Sequence, residues 1–377
     1  MNYLKEHGTA DDHIIKVDLE DRRNAALRNP DALLSYIDSR MKDDKMYYIL
    51  LDEVQHVLEF EDVLNSYLKI ENADVYVTGS NSKFLSSDII TEFRGRGDQI
   101  HVYPLSFAEF MSVDNRHPIE AWTDYYTYGG LPHVLTLETS KKKIDYLKEL
   151  YSTVYIKDIV ERNKLRGVGE LKELIQVMAS AIGSPTNPNK LANTFKSLKN
   201  VSLSNKTIDS YLTYLCESFL TEKAVRYNIK GKKYINTLSK YYFTDVGVRN
   251  AILDFRQQEE NHIMENIIYN ELRIRGFQVD VGVVETRTTD AEGKTVRKQY
   301  EVDFVANQGS LRYYIQSAFI MPTDAKERQE SMSLLNIDDS FKKIIIVKDY
   351  IKPKRNDAGI VTVGLIDFLL NKDILNW

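Results

Sequence analysis

The sequence contains very little cysteine. Cys216 is the single cysteine among 377 residues, so the chain can form neither an internal disulfide nor a zinc site built from several cysteines. Its neighbours have helical spacing, which favours a small buried side chain over a reactive thiol. A lone cysteine is typical of a reducing compartment, and the expected location is the cytoplasm.

Long apolar runs and an excess of basic charge are also missing. No run of about 18 apolar residues occurs, and residues 1–13 lack the apolar core of a secretory signal, so we expect no membrane partner. The formal net charge is −5 and the isoelectric point is about 5.9. This balance argues against a protein that is coated with nucleic acid over its whole surface.

What remains is a composition typical of folded domains. Hydrophobic residues make up 43% and charged residues 28% of the chain, as in ordinary globular proteins. A chain of 377 residues is longer than one hydrophobic core usually supports, so its length predicts two or three domains.

The first third has the pattern of a parallel sheet. Residues 13–19, 47–51, 74–77 and 99–103 are short apolar or alternating runs rich in β-branched and aromatic side chains, and each predicts a strand. Residues 31–39 and 60–68 between them have helical spacing. Strands that alternate with helices predict an α/β fold with a parallel, doubly wound sheet.

Residues 47–53, YYILLDE, have the form of a Walker B motif. A buried strand there delivers two carboxylates at its C-terminal end, where such folds bind ligands. Asp52 is the candidate Mg²⁺ ligand, and Glu53 is the candidate for orienting or deprotonating the attacking water. The alternative is a strand that simply ends in polar residues.

Further blocks follow in order: VTGSNS at 77–82, FRGRG at 93–97, PLSFAEF at 104–110 and YGGLP at 128–132. Together with LLDEVQ they resemble bacterial and archaeal AAA-like ATPases whose C-terminal domain is of unknown function. The resemblance implies ATP and Mg²⁺ as cofactors and a sensor role for Ser80 or Asn81. It also implies that Arg94 or Arg96 senses phosphate or acts as an arginine finger. The alternative is that both are only solvent-exposed charges in a turn.

One part of that family's pattern is absent. The family begins with a strand and a G-x-x-x-x-G-K-[ST] loop, whose backbone N–H groups and lysine hold the phosphates. Nothing of that form precedes Asp52, and the triplet at Gly293 lies on the wrong side of the motif. We therefore expect weak or no ATP hydrolysis. A truncated gene or misassigned start, a degenerate ATPase kept for binding, and a partner that supplies the loop are the open explanations.

The middle of the chain predicts a basic winged helix. Residues 141–162 predict an amphipathic helix with Val154 on its apolar face, three helices follow at 171–182, 187–198 and 204–219, and strands at 220–225 and 240–243 flank a lysine-rich tip. Residues 186–240 hold ten Lys and Arg against three Asp and Glu. This local excess predicts contact with the DNA backbone through Lys206, Lys230, Lys232 and Lys233. A protein-docking surface is the alternative.

The tail resembles the restriction-endonuclease fold. A predicted helix at 263–275 carries Glu265, a predicted strand at 300–306 carries Asp303, and another strand follows at 313–319. The resemblance implies an Asp and a Glu-x-Lys pair around Mg²⁺. Gln316 and Ala318 stand at the Glu and Lys positions. We therefore interpret the tail as an inactive scaffold, with metal binding by Glu265, Asp303 and a lysine from elsewhere as the alternative.

The sequence thus predicts three domains. They are a partial P-loop-type parallel sheet at 1–135, a helical linker and winged helix at 136–250, and a restriction-endonuclease-like α/β domain at 251–377. The favoured function is an ATP-binding protein of the AAA family. The alternative is a non-catalytic DNA- or protein-binding module that no longer uses ATP.

Overall fold

The computed structural model describes residues 1–79, 97–199, 203–257, 259–289, 295–321 and 323–377. They form two compact units, residues 1–101 and residues 102–377. Each unit combines helices with a sheet, so the fold class is mixed α/β as the alternating pattern predicts.

The first unit contains a three-stranded parallel sheet. Its strands are β1 (Ile14–Asp18), β2 (Tyr47–Asp52) and β3 (Ala73–Val77), hydrogen-bonded in the order β1-β2-β3. The helices are α1 (Asn2–Glu6), α2 (Pro30–Asp38) and α3 (Phe60–Tyr67), with short 3₁₀ turns at Asp11–His13, Arg22–Arg28 and Val54–His56.

The core of this unit follows from the sequence pattern. Alternate residues of β2 are buried, with Ile49 and Leu51 almost inaccessible to water. They pack in one cluster with Leu33 and Ile37 of α2, which recur at helical spacing. Burying such aliphatic side chains contributes about 1.5–3 kcal/mol each, which is why β2 is a fixed central strand.

The predicted strand at 99–103 is wrong. The structure gives these residues no regular secondary structure, and Ile100 and Val102 are 83% and 86% exposed. Strand propensity alone does not form a strand, because a strand is stabilised by its neighbours. Among the described residues of the first unit, the sheet ends at β3, whose Tyr76 is 51% exposed.

The second unit begins with helices. They are α4 (Phe107–Met111), α5 (Pro118–Tyr128), α6 (Pro132–Leu135), α7 (Ser140–Glu149), α8 (Ile156–Arg162), α9 (Val168–Ser180), α10 (Pro188–Lys199) and α11 (Asn205–Glu217). Ser204 caps α11 by accepting a hydrogen bond from the Thr207 N–H at 3.1 Å, as its position predicts.

The predicted helix at 141–162 forms with one irregularity. Residues Leu150–Tyr155 between α7 and α8 are π-helical. A π turn holds more residues than an α turn and therefore rotates the following side chains around the helix. Val154, predicted on the buried face, is 52% exposed, whereas Ile156 is buried.

An eight-stranded mixed sheet organises the rest of the unit. The strands are β4 (Thr221–Asn228), β5 (Lys233–Phe243), β6 (Gln278–Thr289), β7 (Thr295–Gln308), β8 (Leu311–Ala318), β9 (Lys342–Val347), β10 (Lys354–Arg355) and β11 (Val361–Gly364). Their order is β10-β11-β9-β8-β7-β6-β4-β5.

Four helices accompany this sheet: α12 (Val246–Ile252), α13 (Glu260–Ile274), α14 (Asp324–Leu335) and α15 (Leu365–Leu370). Ile267 and Leu272 of α13 pack with Phe304 of β7 and Ile315 of β8 in one apolar cluster. The hairpin β4-β5, predicted as a wing, pairs through β4 with β6 and so belongs to the same sheet as the tail. The three-domain division stays a prediction.

Two of the sequence blocks have a structural explanation. In PLSFAEF, Ser106 and Glu109 form a capping box at the start of α4. In YGGLP, the Gly130 carbonyl accepts a hydrogen bond from the Leu105 N–H at 2.8 Å, which joins the two blocks. The Gly130 N–H donates to Asp245 Oδ2 at 2.8 Å. These blocks therefore contribute to the packing of the second unit.

Candidate functional site

The two carboxylates of the predicted Walker B motif lie where β2 ends. Asp52 is the last residue of β2, and Thr78 follows β3, the neighbouring parallel strand. The Thr78 hydroxyl donates a hydrogen bond to Asp52 Oδ1, and its oxygen accepts one from the Glu53 N–H at 3.1 Å. One threonine therefore fixes both motif residues at the carboxyl edge of the sheet, as the topology predicts.

Backbone geometry turns Glu53 away from the strand direction. Its φ of 53° and ψ of 50° lie in the left-handed region, which a residue with a side chain seldom adopts unless its surroundings impose it. The Val54 N–H then donates to the Thr78 carbonyl at 3.1 Å. The Gln55 amide donates to Glu53 Oε2 and orients that carboxylate.

The remaining predicted residues of this site cannot be placed. Ser80, Asn81, Arg94 and Arg96 lie outside the described residues. Asp18 ends β1 and pairs in register with Asp52. Its carboxylate accepts backbone hydrogen bonds within its own turn, from Glu20 at 3.0 Å and Asp21 at 3.1 Å. Asp18 thus serves the turn after β1.

The four lysines predicted to contact DNA are exposed. Lys206 lies on α11, and Lys230, Lys232 and Lys233 lie at the β4-β5 turn. Lys232 has a φ of 48°, so the turn places it in the left-handed region. Exposed ammonium groups at a hairpin tip are free to approach a phosphate backbone at small desolvation cost.

Lys240 does not belong to that basic surface. It is one of the ten Lys and Arg counted in residues 186–240, but it contributes no exposed charge. Its side chain is 3% exposed. The Nζ atom lies 2.9 Å from Glu265, 2.9 Å from Glu301 and 3.6 Å from Asp303. A buried lysine requires such partners, because an unpaired charge in the interior is costly.

The structure thus brings Glu265 and Asp303 together, as the sequence predicts, but through a lysine. The Tyr242 hydroxyl donates to Glu265 at 2.7 Å, and the Ser317 N–H donates to Asp303 at 2.9 Å. Gln316 is engaged elsewhere, since its side-chain oxygen accepts a hydrogen bond from Ser333 of α14 at 3.2 Å. Ala318 is buried.

The electrostatics of this cluster follow from its imbalance of charge. Burial raises the pKa of Asp303 to about 7; the nearby Glu265 charge acts in the same direction, and Lys240 acts against it. Burial alone would lower the pKa of Lys240, but Glu265, Asp303 and Glu301 raise it overall. Burial disfavours the charged carboxylate of Asp303, and the single ammonium does not offset this effect.

Around Asp303 the residues present do not fit a metal ion. Within the described ranges, no group of three or more His, Cys, Asp and Glu side chains is arranged to hold one. Around Asp303 the reason is visible, because the Lys240 ammonium already contacts all three carboxylates. In the first unit, Asp52 is one carboxylate and would share its metal with nucleotide phosphates.

Sequence reasoning missed Lys240, Tyr242 and Thr78 as parts of these two sites. A signal for the first two exists in the segment 240–243, KYYF, where a lysine directly precedes three aromatic residues. A charged residue in such an apolar run is often buried with a partner. Thr78 lies in the block VTGSNS and could have been assigned to the edge beside Asp52.

Family models match two parts of the chain. A model described as an AAA domain matches residues 1–111, and one described as a domain of unknown function (DUF8612) matches residues 119–259. An uncharacterised protein of Haemophilus influenzae is 31% identical over 375 residues, covering 98% of this chain and 89% of that protein. The chain belongs to the AAA-like ATPase family whose C-terminal domain is of unknown function.

A second relative is more distant. An uncharacterised protein of Methanocaldococcus jannaschii is 27% identical over 357 residues, which cover 90% of this chain and 77% of that protein. The family therefore has similar members in a bacterium and an archaeon. Neither relative's name states an activity.

Solved structures show weaker similarity. A Walker-type ATPase of Pyrococcus abyssi has a TM-score of 0.42 at 11% identity, covering 64% of this chain and 84% of that chain. The Orc1 protein of Aeropyrum pernix, solved in complex with DNA, has a TM-score of 0.25 at 12% identity, with 63% and 76% covered. Scores this low carry no function from one protein to another.

Membrane insertion through a helix finds no support in the described part of the chain. None of its helices is both long enough and apolar enough to span a bilayer.

Proposed function

We propose that the first unit forms the metal-and-water half of a nucleotide site. The observation that carries this proposal is the shared hydrogen bonding of Thr78 with Asp52 and with the Glu53 N–H at the carboxyl edge of the parallel sheet. Asp52 would hold Mg²⁺ on a bound nucleotide, and Glu53 would orient or deprotonate the attacking water. Membership of the AAA-like ATPase family supports the same assignment.

The other half of such a site is a phosphate-binding loop with its lysine. The 377 residues contain no G-x-x-x-x-G-K-[ST] sequence. Without it, most phosphate ligands and one cation are missing, and we propose that this chain binds ATP weakly and hydrolyses it slowly or not at all. A degenerate ATPase that binds without turnover and a partner that completes the site are both compatible with this geometry.

Binding of Mn²⁺–ATP tests the role of Asp52, with Mn²⁺ in place of Mg²⁺ and water-proton relaxation as the readout. We expect weak binding by the wild-type chain and at least about a tenfold loss of affinity in Asp52→Asn, because one carboxylate supplies the protein's share of the metal shell. Asp74→Asn is the matched control, since Asp74 lies toward the other end of β3 and its carboxylate accepts from the Tyr76 hydroxyl at 2.9 Å.

In that measurement the control should bind as the wild type does. Equal affinity of Asp52→Asn and wild type would show that Asp52 is only a polar strand end. Absence of any binding by the wild type would instead favour the module that no longer uses ATP.

We further propose that the exposed lysines of the second unit contact a nucleic-acid backbone. The supporting observation is that Lys230, Lys232 and Lys233 are all exposed at one hairpin turn, while Lys206 is exposed on α11. Contacts of this kind neutralise phosphates and read no base sequence. An acidic protein surface would fit the same charges and is the alternative.

Replacing Lys230, Lys232 and Lys233 together by Ala should weaken DNA binding on all sequences alike. Each lost phosphate contact should remove roughly 0.9 from the slope of log K against log[salt]. The control replaces Lys141, Lys142 and Lys157 by Ala, which removes the same charge from exposed helical positions outside the basic surface. Fluorescence anisotropy with two unrelated duplexes measures the affinity and its salt dependence for each variant.

If the triple variant and the control bind alike, the hairpin tip does not contact DNA. If the wild type fails to bind at about 50 mM salt, the basic surface serves a protein partner or only solvates the fold.

For the tail we propose a scaffold rather than a nuclease. Gln316 is held by Ser333, and Ala318 offers no charge at the position where the resemblance implies lysine. Hydrolysis of a phosphodiester by such a fold needs a metal ion between the acids. The presence or absence of Mn²⁺ binding at Asp303 tests this assignment directly.

A further inference from the structure

Lys240 and the three acids around it form a closed arrangement. The side chains of Lys240, Asp303 and Glu265 are 3%, 10% and 13% exposed, and that of Glu301 is 33% exposed. The cluster comes from three elements distant in sequence: β5, α13 and β7. Its members are therefore held by tertiary packing rather than by a local turn.

The number of carboxylates around Lys240 equals the number of N–H donors on its ammonium group. An ammonium group has three N–H donors and no acceptor. Three carboxylates face Lys240 Nζ, two at hydrogen-bonding distance and Asp303 at 3.6 Å. Tyr242 and the Ser317 N–H donate to Glu265 and Asp303, so these two buried acids also have neutral donors.

The cluster has the charge of a cation-binding site in which the bound cation neutralises only part of the negative charge. Three carboxylates carry up to three negative charges, against one positive charge from Lys240. A divalent ion would balance this set better than an ammonium does, and oxygen ligands at short range are what Mg²⁺ and Mn²⁺ prefer. Burial is the main cause of the raised pKa of Asp303, and the neighbouring Glu265 charge acts in the same direction.

A segment of the helical region lies against the cluster. Thr186 pairs with Ser239, the residue before Lys240, through two backbone hydrogen bonds of 2.8 and 2.9 Å. Gly183, at a φ of 71°, is so close to Glu265 that an added Cβ would lie 3.1 Å from its Oε1. This packing leaves little space for a hydrated ion beside the lysine.

We propose that the Lys240 ammonium occupies the position of a divalent cation among Glu265, Glu301 and Asp303, so that the tail is closed by an internal cation and excludes Mg²⁺ and Mn²⁺. This explains why Glu265 and Asp303 still lie around one cation. The other groups that the nuclease resemblance implies are replaced by Gln316 and Ala318. The lysine stabilises the junction of β5, α13 and β7. Removing its charge should convert the cluster into a metal site.

The test uses the full chain carrying Asp52→Asn, which keeps metal away from the first unit, and this chain is the parent. We expect the parent to bind no Mn²⁺ by electron paramagnetic resonance and to show an unfolding temperature that Mn²⁺ leaves unchanged. Lys240→Met, which retains the apolar stem, should unfold roughly 10 °C lower in metal-free buffer. It should then bind about one Mn²⁺ and recover much of its stability, because the ion neutralises the three acids.

Two controls separate this result from general effects of charge. Lys223→Met removes an exposed lysine from β4, the strand beside β5, and should change neither property. Adding Asp303→Asn to Lys240→Met should abolish the gained Mn²⁺. The proposal is overturned if the parent binds Mn²⁺ and loses it on Asp303→Asn, or if Lys240→Met neither binds Mn²⁺ nor regains stability with it. Failure of the nucleotide proposal would leave these outcomes unaffected.

Discussion

Replacing Gly247 by alanine should lower the free energy of unfolding of the 377-residue chain by about 3 kcal/mol, measured as loss of the second unit's helical signal in urea. A Cβ at this position would lie 2.0 Å from the Tyr128 carbonyl oxygen and 2.3 Å from its carbon. These are backbone atoms, so no side-chain rotation relieves the contact. The helix start would have to move away from the YGGLP segment.

That movement would also disturb the buried Asp245. Its Oδ1 accepts a hydrogen bond from the Val248 N–H at 2.9 Å and caps α12, while its Oδ2 accepts one from Gly130 at 2.8 Å. Separating a buried carboxylate from its donors costs more than a typical surface hydrogen bond. We therefore expect the loss to lie at the upper end of the range for overpacked interiors.

Gly169→Ala is the matched control for this change. Gly169 is also the second residue of a helix and follows a valine, but an added Cβ there meets no atom within 4 Å. Alanine favours helix by up to about 1 kcal/mol over glycine, so this variant should be unchanged or slightly more stable. Equal effects of the two substitutions would refute the steric explanation.

The parts of the fold that could be predicted from sequence are those fixed by local patterns. Alternating apolar residues identify β2, and Ser204 identifies the start of α11. Both signals involve only neighbouring residues, since a strand face repeats every two residues and a cap bonds within one turn. The alternation of strands and helices likewise predicted that β2 and β3 are parallel neighbours, as their pairing shows.

The misplaced elements depend on partners that the sequence does not identify. Residues 99–103 have strand propensity but form no strand, and the π-helical turn buries Ile156 in place of Val154. Lys240 is the clearest case. Its charge predicts a surface position, yet acids 25 and more residues away make its burial favourable. At Lys240, tertiary contacts overrode the local preference.

ATP turnover by this chain should be at least about tenfold below an ordinary enzyme's 1 s⁻¹. Asp52 and Glu53 are the proposed metal ligand and water-orienting carboxylate, and Thr78 hydrogen-bonds to the Asp52 carboxylate and the Glu53 N–H. The backbone N–H groups and lysine that neutralise the phosphates in the transition state are missing from these 377 residues. Phosphoryl transfer depends on stabilising the charge of the transition state. We therefore expect the missing groups to slow this step far more than they weaken metal binding by one carboxylate.

We propose that this chain provides the metal-and-water half of a nucleotide site without the phosphate half, and steady-state phosphate release can test this proposal. Wild type, Glu53→Gln and Glu59→Gln are compared; Glu59 is an exposed glutamate with the same φ of 53° as Glu53, at the start of α3. We predict turnover below about 0.1 s⁻¹ for all three, with any residual activity reduced only in Glu53→Gln. Turnover near 1 s⁻¹ in wild type and Glu59→Gln that disappears in Glu53→Gln would contradict the claim.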